Sequence, residues 1–280
     1  MEDPSKLATI KGPRERAIAA HALIDDYQSA IGELSRLRRE ALEELLSSGM
    51  SQSQIADMLD MSRSRVSQLL SAGIRPERAF LGTGGLTVAL GGKHEAGKEK
   101  PGAVVSAEAL AAYDRLAELA RSLGLKAEYE VVPPPGFVTL NRSNLIVACG
   151  PRLSPLVQQI LESDSNIGFA KDSEGWHLIE RHTGTVHRSP CDSGKNADVA
   201  YLGRLPRPDG KGTFLYMAGI HAIGTAGAAH YIENNLAELY REMKTRRFSV
   251  IVTCEFDAES RQVTSSARAS QIYRHDGAAQ

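Results

Sequence analysis

Residues 49–73 read GMSQSQIADMLDMSRSRVSQLLSAG, and their spacing decides the fold of the first part of the chain. Ile55, Ala56 and Leu59 form one apolar stripe and Val66, Leu69 and Leu70 a second. Each stripe uses the three- and four-residue steps that gather side chains on one helical face. Two short helices packed on each other follow. Asp60-Met61-Ser62 supplies a tight connection, with Met61 filling the angle between the helices. The Ser62 hydroxyl caps the second helix and Ser51 the first.

On the outer face of the second helix, Arg63, Ser64, Ser67 and Gln68 lie together near its N-terminus, just after Ser62. Guanidinium, hydroxyl and amide groups at those positions read base edges or hold phosphates when such a helix enters a major groove. These five residues are the candidate contacts to double-stranded DNA. The plainer alternative is a solvated helical hairpin, which more often carries Glu and Lys there. The stretch MSQSQIADMLDMSRSRVSQLL resembles the helix-turn-helix of sigma-factor region 4 and of related one-component bacterial transcriptional regulators. That resemblance implies sequence-specific DNA binding and leaves residues 80–280 without a recognised family.

The chain has 280 residues, 42% of them hydrophobic, and a formal net charge of −1. That is long enough for a small module and one or two larger α/β units. A sequence pI near 6.7 argues against coating nucleic acid by bulk charge, so a basic recognition face is a local feature. No run approaches the ~18 to 20 apolar residues of a membrane span, and the start, MEDPSKLATIKGPRER, has no apolar signal core. The expectation is a soluble, cytoplasmic protein with no membrane partner. Cys149, Cys191 and Cys254 form no CxxC pair and have no histidine cluster beside them, so buried free thiols are expected, with no disulfide framework and no metal site.

Four segments are expected in order: a disordered lead-in over 1–13, a helical DNA-binding module over 14–79, a small α/β subdomain over 80–136 and an α/β ligand-binding domain over 137–280. The fold class is thus a helical helix-turn-helix module followed by an α/β, Rossmann-like effector region. From Arg14 to Ser48 one long helix carries Ile24, Tyr27, Ile31, Leu34 and Leu37 at coiled-coil spacing, then Leu42, Leu45 and Leu46. It either roofs the module or forms the seam of a homodimer. Leu86 to Leu90 is a buried-strand pattern, KHEAGKEKPG (93–102) an exposed loop, and Ser106 caps a helix with apolar face Leu110, Tyr113, Leu116, Leu119 and Leu123. Lys126 to Val132 reads as a strand, and Pro133-Pro134-Pro135-Gly136 as a subdomain boundary. Phe169 to Arg188 suggests a hairpin turning at Gly184, and Gln262 to Tyr273 an antiparallel partner for the strand Phe248 to Phe256.

Two strand, glycine turn, helix units stand out. The first runs from Asn144 to Cys149 through Gly150-Pro151-Arg152, and the second from Thr213 to Ala218 through Gly219 to a helix starting near Gly224-Thr225. Such turns build a ligand crevice at the carboxyl ends of α/β strands, where helix N-termini favour anions. The candidate ligand contacts are Gly150, Arg152, Gly219, His221, Gly224, Thr225 and Glu255, with a small ligand, nucleotide-like or another anion, as their partner and no particular cofactor indicated. In the alternative, Gly224 and Gly227 only let the helix pack on the sheet. His221 and Glu255 also allow a different reading, a nucleotide- or glycoside-processing enzyme with these two as acid–base groups. Neither turn is a Walker A or GxGxxG sequence, so the specificity of the ligand signal is low; the sensor reading is preferred because His221 has no evident Ser or Cys partner.

Overall fold

The computed structural model describes residues 4–71, 76–97, 99, 100 and 102–275. The chain divides into two compact units, residues 1–79 and 80–280. Ala72, Gly73 and Ile74, which close the quoted stretch and open the connection after it, lie outside the described residues.

In the first unit a 3-10 segment, Pro4–Thr9, stands where a disordered lead-in is expected. Helix α1 (Pro13–Ser47) follows, with proline at its first position, where the missing N–H costs nothing. Helices α2 (Gln52–Met58) and α3 (Arg63–Ser71) complete the module. Leu42, Ile55, Ala56 and Val66 form its core, with Leu45, Leu46, Met61, Leu69 and Leu70 packed against them. Leu59 does not join them: it ends α2 as its C-cap residue and stays exposed. The chain then turns through Asp60, whose φ of 51° is left-handed, a conformation that aspartate tolerates better than most residues. The long helix is therefore packed at one end only. Its end roofs the module, while Ile24, Ile31 and Leu34 remain 51%, 61% and 63% exposed.

Helix α4 (Arg78–Leu81) stands at the junction of the units. The second unit then runs β1 (Leu86–Gly91), β2 (Lys93–His94), β3 (Ala103–Val104), α5 (Ala107–Ser122), β4 (Ala127–Val132), β5 (Leu145–Ala148), α6 (Pro155–Glu162) and β6 (Ile167–Asp172). It continues with β7 (Gly175–Glu180), β8 (Thr185–Arg188), β9 (Ala197–Pro206), β10 (Thr213–Gly219), α7 (Ala222–Met243), β11 (Phe248–Phe256), β12 (Val263–Arg268) and β13 (Tyr273–Arg274).

The main sheet has the order β12-β11-β9-β10-β5-β1-β4, with β13 paired to β11. Strands β4, β1, β5 and β10 are parallel neighbours, whereas β9 runs antiparallel to both β10 and β11. The sheet is therefore mixed, with its parallel strands on one side, and the Rossmann-like part of the expectation is not confirmed. Because β4 and β5 both pair with β1, one sheet runs through the boundary expected at residue 136. The proline turn there is a loop within a single unit. The expected exposed loop 93–102 is flanked by the β2–β3 hairpin, and the expected two-stranded hairpin is the three-stranded sheet β6-β7-β8.

Alternation along the strands sorts the two faces. Val199, Tyr201, Tyr216 and Ile251 pack with Val157 and Leu161 of α6 and with Ile167 and Leu178 of the small sheet. The opposite face carries α7, and α5 lies beside α7. The buried stripe of α5 is Ala109, Ala112, Leu116 and Ala120, leaving Leu110 exposed. The small alanines let the two helices approach closely, which is why the inward face is offset from the one the leucines suggest. At the start of the unit Arg204 is buried, donates from Nη2 to the Phe80 carbonyl at 2.6 Å and lies over the Phe80 ring. Burial pushes its pKa down to about 10.

On α7, a Cβ at Gly227 would lie 2.3 Å from Cys254 Sγ of β11. Gly227→Ala should therefore overpack this contact and lower stability by about 1–3 kcal/mol. Chemical denaturation of the purified variant would check it, since unchanged stability means that helix and sheet can part without cost.

Candidate functional site

In the first unit, the Ser51 hydroxyl accepts from Gln54 N and the Gln54 side chain accepts from Ser51 N, a reciprocal capping box that fixes the start of α2. Ser62 Oγ accepts from Arg65 N at 3.1 Å and caps α3. Both caps are those expected from the sequence. With Val66 turned into the core, Arg63, Ser64, Ser67 and Gln68 are all exposed on α3, beside the capping Ser62. Arg65, which spacing alone did not single out, is also exposed and donates to Gln68 Oε1 at 3.4 Å. This contact can orient the amide that would meet a base edge.

In the second unit, the parallel strands β1, β5 and β10 end together, at Gly91, Ala148 and Gly219. A small crevice of about 50 Å³, partly open to solvent, lies at those ends, lined among others by Lys93, Ser106, Gly150, Arg152, Leu153, Gly219, His221 and Thr225. Five of the seven expected ligand contacts thus come together there: Gly150, Arg152, Gly219, His221 and Thr225. Lys93 and Ser106 are additions; β2 carries the first, and the second caps α5 by accepting from Ala109 N at 3.2 Å. The loop-like composition around Lys93 concealed its placement.

The other two expected contacts lie elsewhere. Gly224 is buried behind the crevice wall, where a Cβ would meet Asp198 Oδ2 at 2.4 Å and Gly219 Cα at 2.8 Å. Its glycine is required by close backbone packing. Glu255 is exposed on β11, where its Oε2 accepts from Ser265 Oγ, and it is not among the lining residues. The acid–base pair that the enzyme reading needs is therefore not assembled in the crevice. His221 instead pairs through Nε2 with Asp192 Oδ1 at 2.8 Å, both side chains being about 40% exposed (41% and 44%).

The group that organises this turn is Asp198, fully buried near the start of β9. Its Oδ2 accepts from His221 N and Gly224 N, each at 2.9 Å, while Thr225 Oγ1 accepts from Gly219 N at 2.9 Å. His221 is extended, so α7 begins at Ala222, two residues before the expected start. A carboxylate from the neighbouring strand thus occupies the helix N-terminus that the sequence suggests for a ligand. Burial raises the Asp198 pKa, only partly offset by the Ser189 hydroxyl, the backbone N–H groups and His221. The cationic groups left facing the crevice are side chains, Arg152 and Lys93. Cys149, also lining it, is buried with its thiol pushed up to about 12 by desolvation, so it is a wall and not a nucleophile.

Residues 30–75 match the family model Sigma-70, region 4. The match spans the second half of α1, α2 and α3, and the family model is that of a helix-turn-helix DNA-binding region. Neither a curated protein nor a solved structure matches the chain. Among the described residues no helix is long and apolar enough to cross a membrane, and no group of His, Cys, Asp and Glu could hold a metal ion.

The Asp198 arrangement gives a paired test. Asp198→Ala takes the acceptor from the His221 N–H and leaves the Gly224 N–H only the His221 carbonyl at 3.2 Å, and should cost about 1–3 kcal/mol. Asp198→Asn keeps an acceptor oxygen and should cost much less. Since the folded pKa of Asp198 is raised, its contribution is fully present below the ordinary aspartate pKa and is lost as pH rises through the folded value. Wild-type stability should accordingly fall over that window relative to Asp198→Asn. Parallel denaturation curves at all pH values would contradict this placement of the carboxylate.

Proposed function

We propose that the chain is a sequence-specific DNA-binding transcriptional regulator in which α3 is the recognition helix. The observation that carries this reading is the exposed row Arg63, Ser64, Ser67 and Gln68 on the second helix of a region that matches sigma-70 region 4. An arginine and a glutamine there make bidentate contacts to guanine and adenine, and the serines hold phosphates or base edges. Arg63→Ala and Gln68→Ala should each cost about 1–3 kcal/mol of affinity for a selected site. Gel-shift titrations give the answer: folded variants that bind as wild type does would remove α3 from the interface.

The regulator acts as a homodimer. One helix-turn-helix buries little surface for tight specific binding, and paired modules on repeated or symmetric half-sites supply the rest. Supporting this is the stripe Ile24, Ile31 and Leu34, which lies exposed on α1 at a heptad interval. Replacing Ile31 and Leu34 by Glu should convert a dimer to a monomer in sedimentation and weaken DNA binding in parallel. A wild-type monomer at micromolar concentration, bound one to one on its site, is the contrary result.

A small anionic ligand bound in the crevice of the second unit controls the regulator. Two side-chain cations, Lys93 and Arg152, line it, together with Ser106 at the start of α5. A guanidinium is well matched to phosphate or carboxylate.

A further inference from the structure

Strand β4 ends the main sheet on the side away from β12, and among the described residues no strand pairs with its outer edge. The bonds that flank its ladder, Leu86 N to the Lys126 carbonyl and Gly92 N to the Val132 carbonyl, show that its even-numbered residues bond β1. The N–H and C=O groups of its odd-numbered residues therefore point outward. Tyr113 Oη donates to the Ala127 carbonyl at 3.3 Å, which leaves Tyr129 and Val131 as the open part of the edge. The side chains of these two residues are apolar and 49% and 37% exposed, and the Tyr129 ring lies 4.8 Å from that of Tyr113 on α5. Edge strands are ordinarily protected from pairing by charge, proline or a bulge. The opposite edge, β12, follows that rule: it reads VTSSAR, and its ladder with β11 shifts register at Glu255 and Phe256. By contrast β4 reads AEYEVV, with an unbroken register against β1 and neither lysine nor proline. Its charges, Glu128 and Glu130, alternate onto the other face, where Arg142 donates to both carboxylate oxygens of Glu130.

This edge is complementary to itself. Placing a two-fold axis at Glu130 sets Tyr129 of one copy opposite Val131 of the other in an antiparallel ladder, and each such pair exchanges both of its N–H···O bonds. An aromatic beside a β-branched side chain is a favourable cross-strand pair. On the other face Glu130 meets its own copy, where bare carboxylates would repel, but the Arg142 guanidinium that each carries balances the charge. Neighbouring registers are worse. An axis at Tyr129 sets Glu128 opposite Glu130, and one at Val131 sets Tyr129 opposite Pro133, which has no N–H to give. We propose that the second units of the homodimer join edge to edge through β4, so that the main sheet of one copy continues into that of the other. The inference rests on the homodimer reading above and adds a second contact to it. A six-residue edge is too small to hold free chains together at micromolar concentration. Once the α1 stripe has joined two chains, the edges meet at an effective concentration near millimolar, where a small contact suffices.

The test is disulfide cross-linking of the full chain at micromolar concentration under mild oxidation. It is done with Cys191→Ser, because Cys191 is the cysteine that is not buried. Glu130→Cys places two thiols on the axis, with Cα atoms about 4.5 Å apart, within the reach of a disulfide. Glu128→Cys places them roughly 14 Å apart on the same face. Glu130→Cys should therefore cross-link about a hundredfold faster than Glu128→Cys. Adding Val131→Pro should remove that advantage and leave the fold intact, since proline is tolerated where the N–H of an edge strand faces outward. Adding Ile31→Glu and Leu34→Glu should remove it as well. In the chain without substitutions, the Tyr129 and Val131 amides should exchange with deuterium at least about tenfold more slowly than in the Ile31→Glu, Leu34→Glu variant. Equal cross-linking at 128 and 130 in a chain that sediments as a dimer, or amides at 129 and 131 that exchange as fast in the dimer as in that variant, overturns the edge pairing and leaves the α1 dimer standing. A monomeric chain overturns both. Fast cross-linking through Glu130→Cys that survives Ile31→Glu and Leu34→Glu supports the edge and overturns the part given to α1.

Discussion

The second unit depends on one buried carboxylate. Asp198 joins the start of β9 to the start of α7 by accepting from the backbone N–H groups of His221 and Gly224. Losing a buried partner costs about 1–3 kcal/mol per group, more than most side-chain contacts contribute. Desolvation raises the Asp198 pKa, so the site is costly to charge as well as costly to abandon. Held by this contact, Gly219 and Gly224 come within backbone packing distance, Thr225 accepts from Gly219 N, and the crevice acquires its floor. A negative group placed there also neutralises the local pull of the α7 terminus on a ligand. Whatever preference the crevice has for an anion must come from Arg152, from Lys93 and from the α5 end.

What could be read from sequence alone follows from the range of the interactions. Helices α2 and α3 were legible, caps included, because a capping serine, its partner three residues on and an apolar stripe are all local. Leu59 misled because periodicity marks a face but not where a helix stops. The strand, glycine turn, helix units were legible for the same reason, and so was the gathering of Gly150, Arg152, Gly219, His221 and Thr225, since the carboxyl ends of parallel neighbours meet.

Strand order was not legible. Nothing within β9 announces that it runs antiparallel between β10 and β11, which makes the sheet mixed and leaves the Rossmann-like part of the expectation not confirmed. The proline turn at 133–136 resembled a boundary because stiffness alone cannot tell a linker from a pinned loop. What pins it is Ser154, far enough along the chain to be invisible to local pattern. Asp198 was passed over for a related reason. It had one signal, a charged residue opening a run of apolar strand positions, which becomes informative only once the N–H groups of His221 and Gly224 are known to lie above it.

Sequence reading by α3 of the first unit has a direct measurement. The full chain, used to select from a library of random duplexes through successive rounds of binding at fixed salt, should enrich a shared base pattern. The enriched duplexes should bind at least about a thousandfold more tightly than the starting pool, the lower end of specific recognition. Enriched duplexes with no common pattern, bound no better than the random pool at the same salt, would contradict a sequence-reading role for α3 and with it the assignment of the chain as a transcriptional regulator.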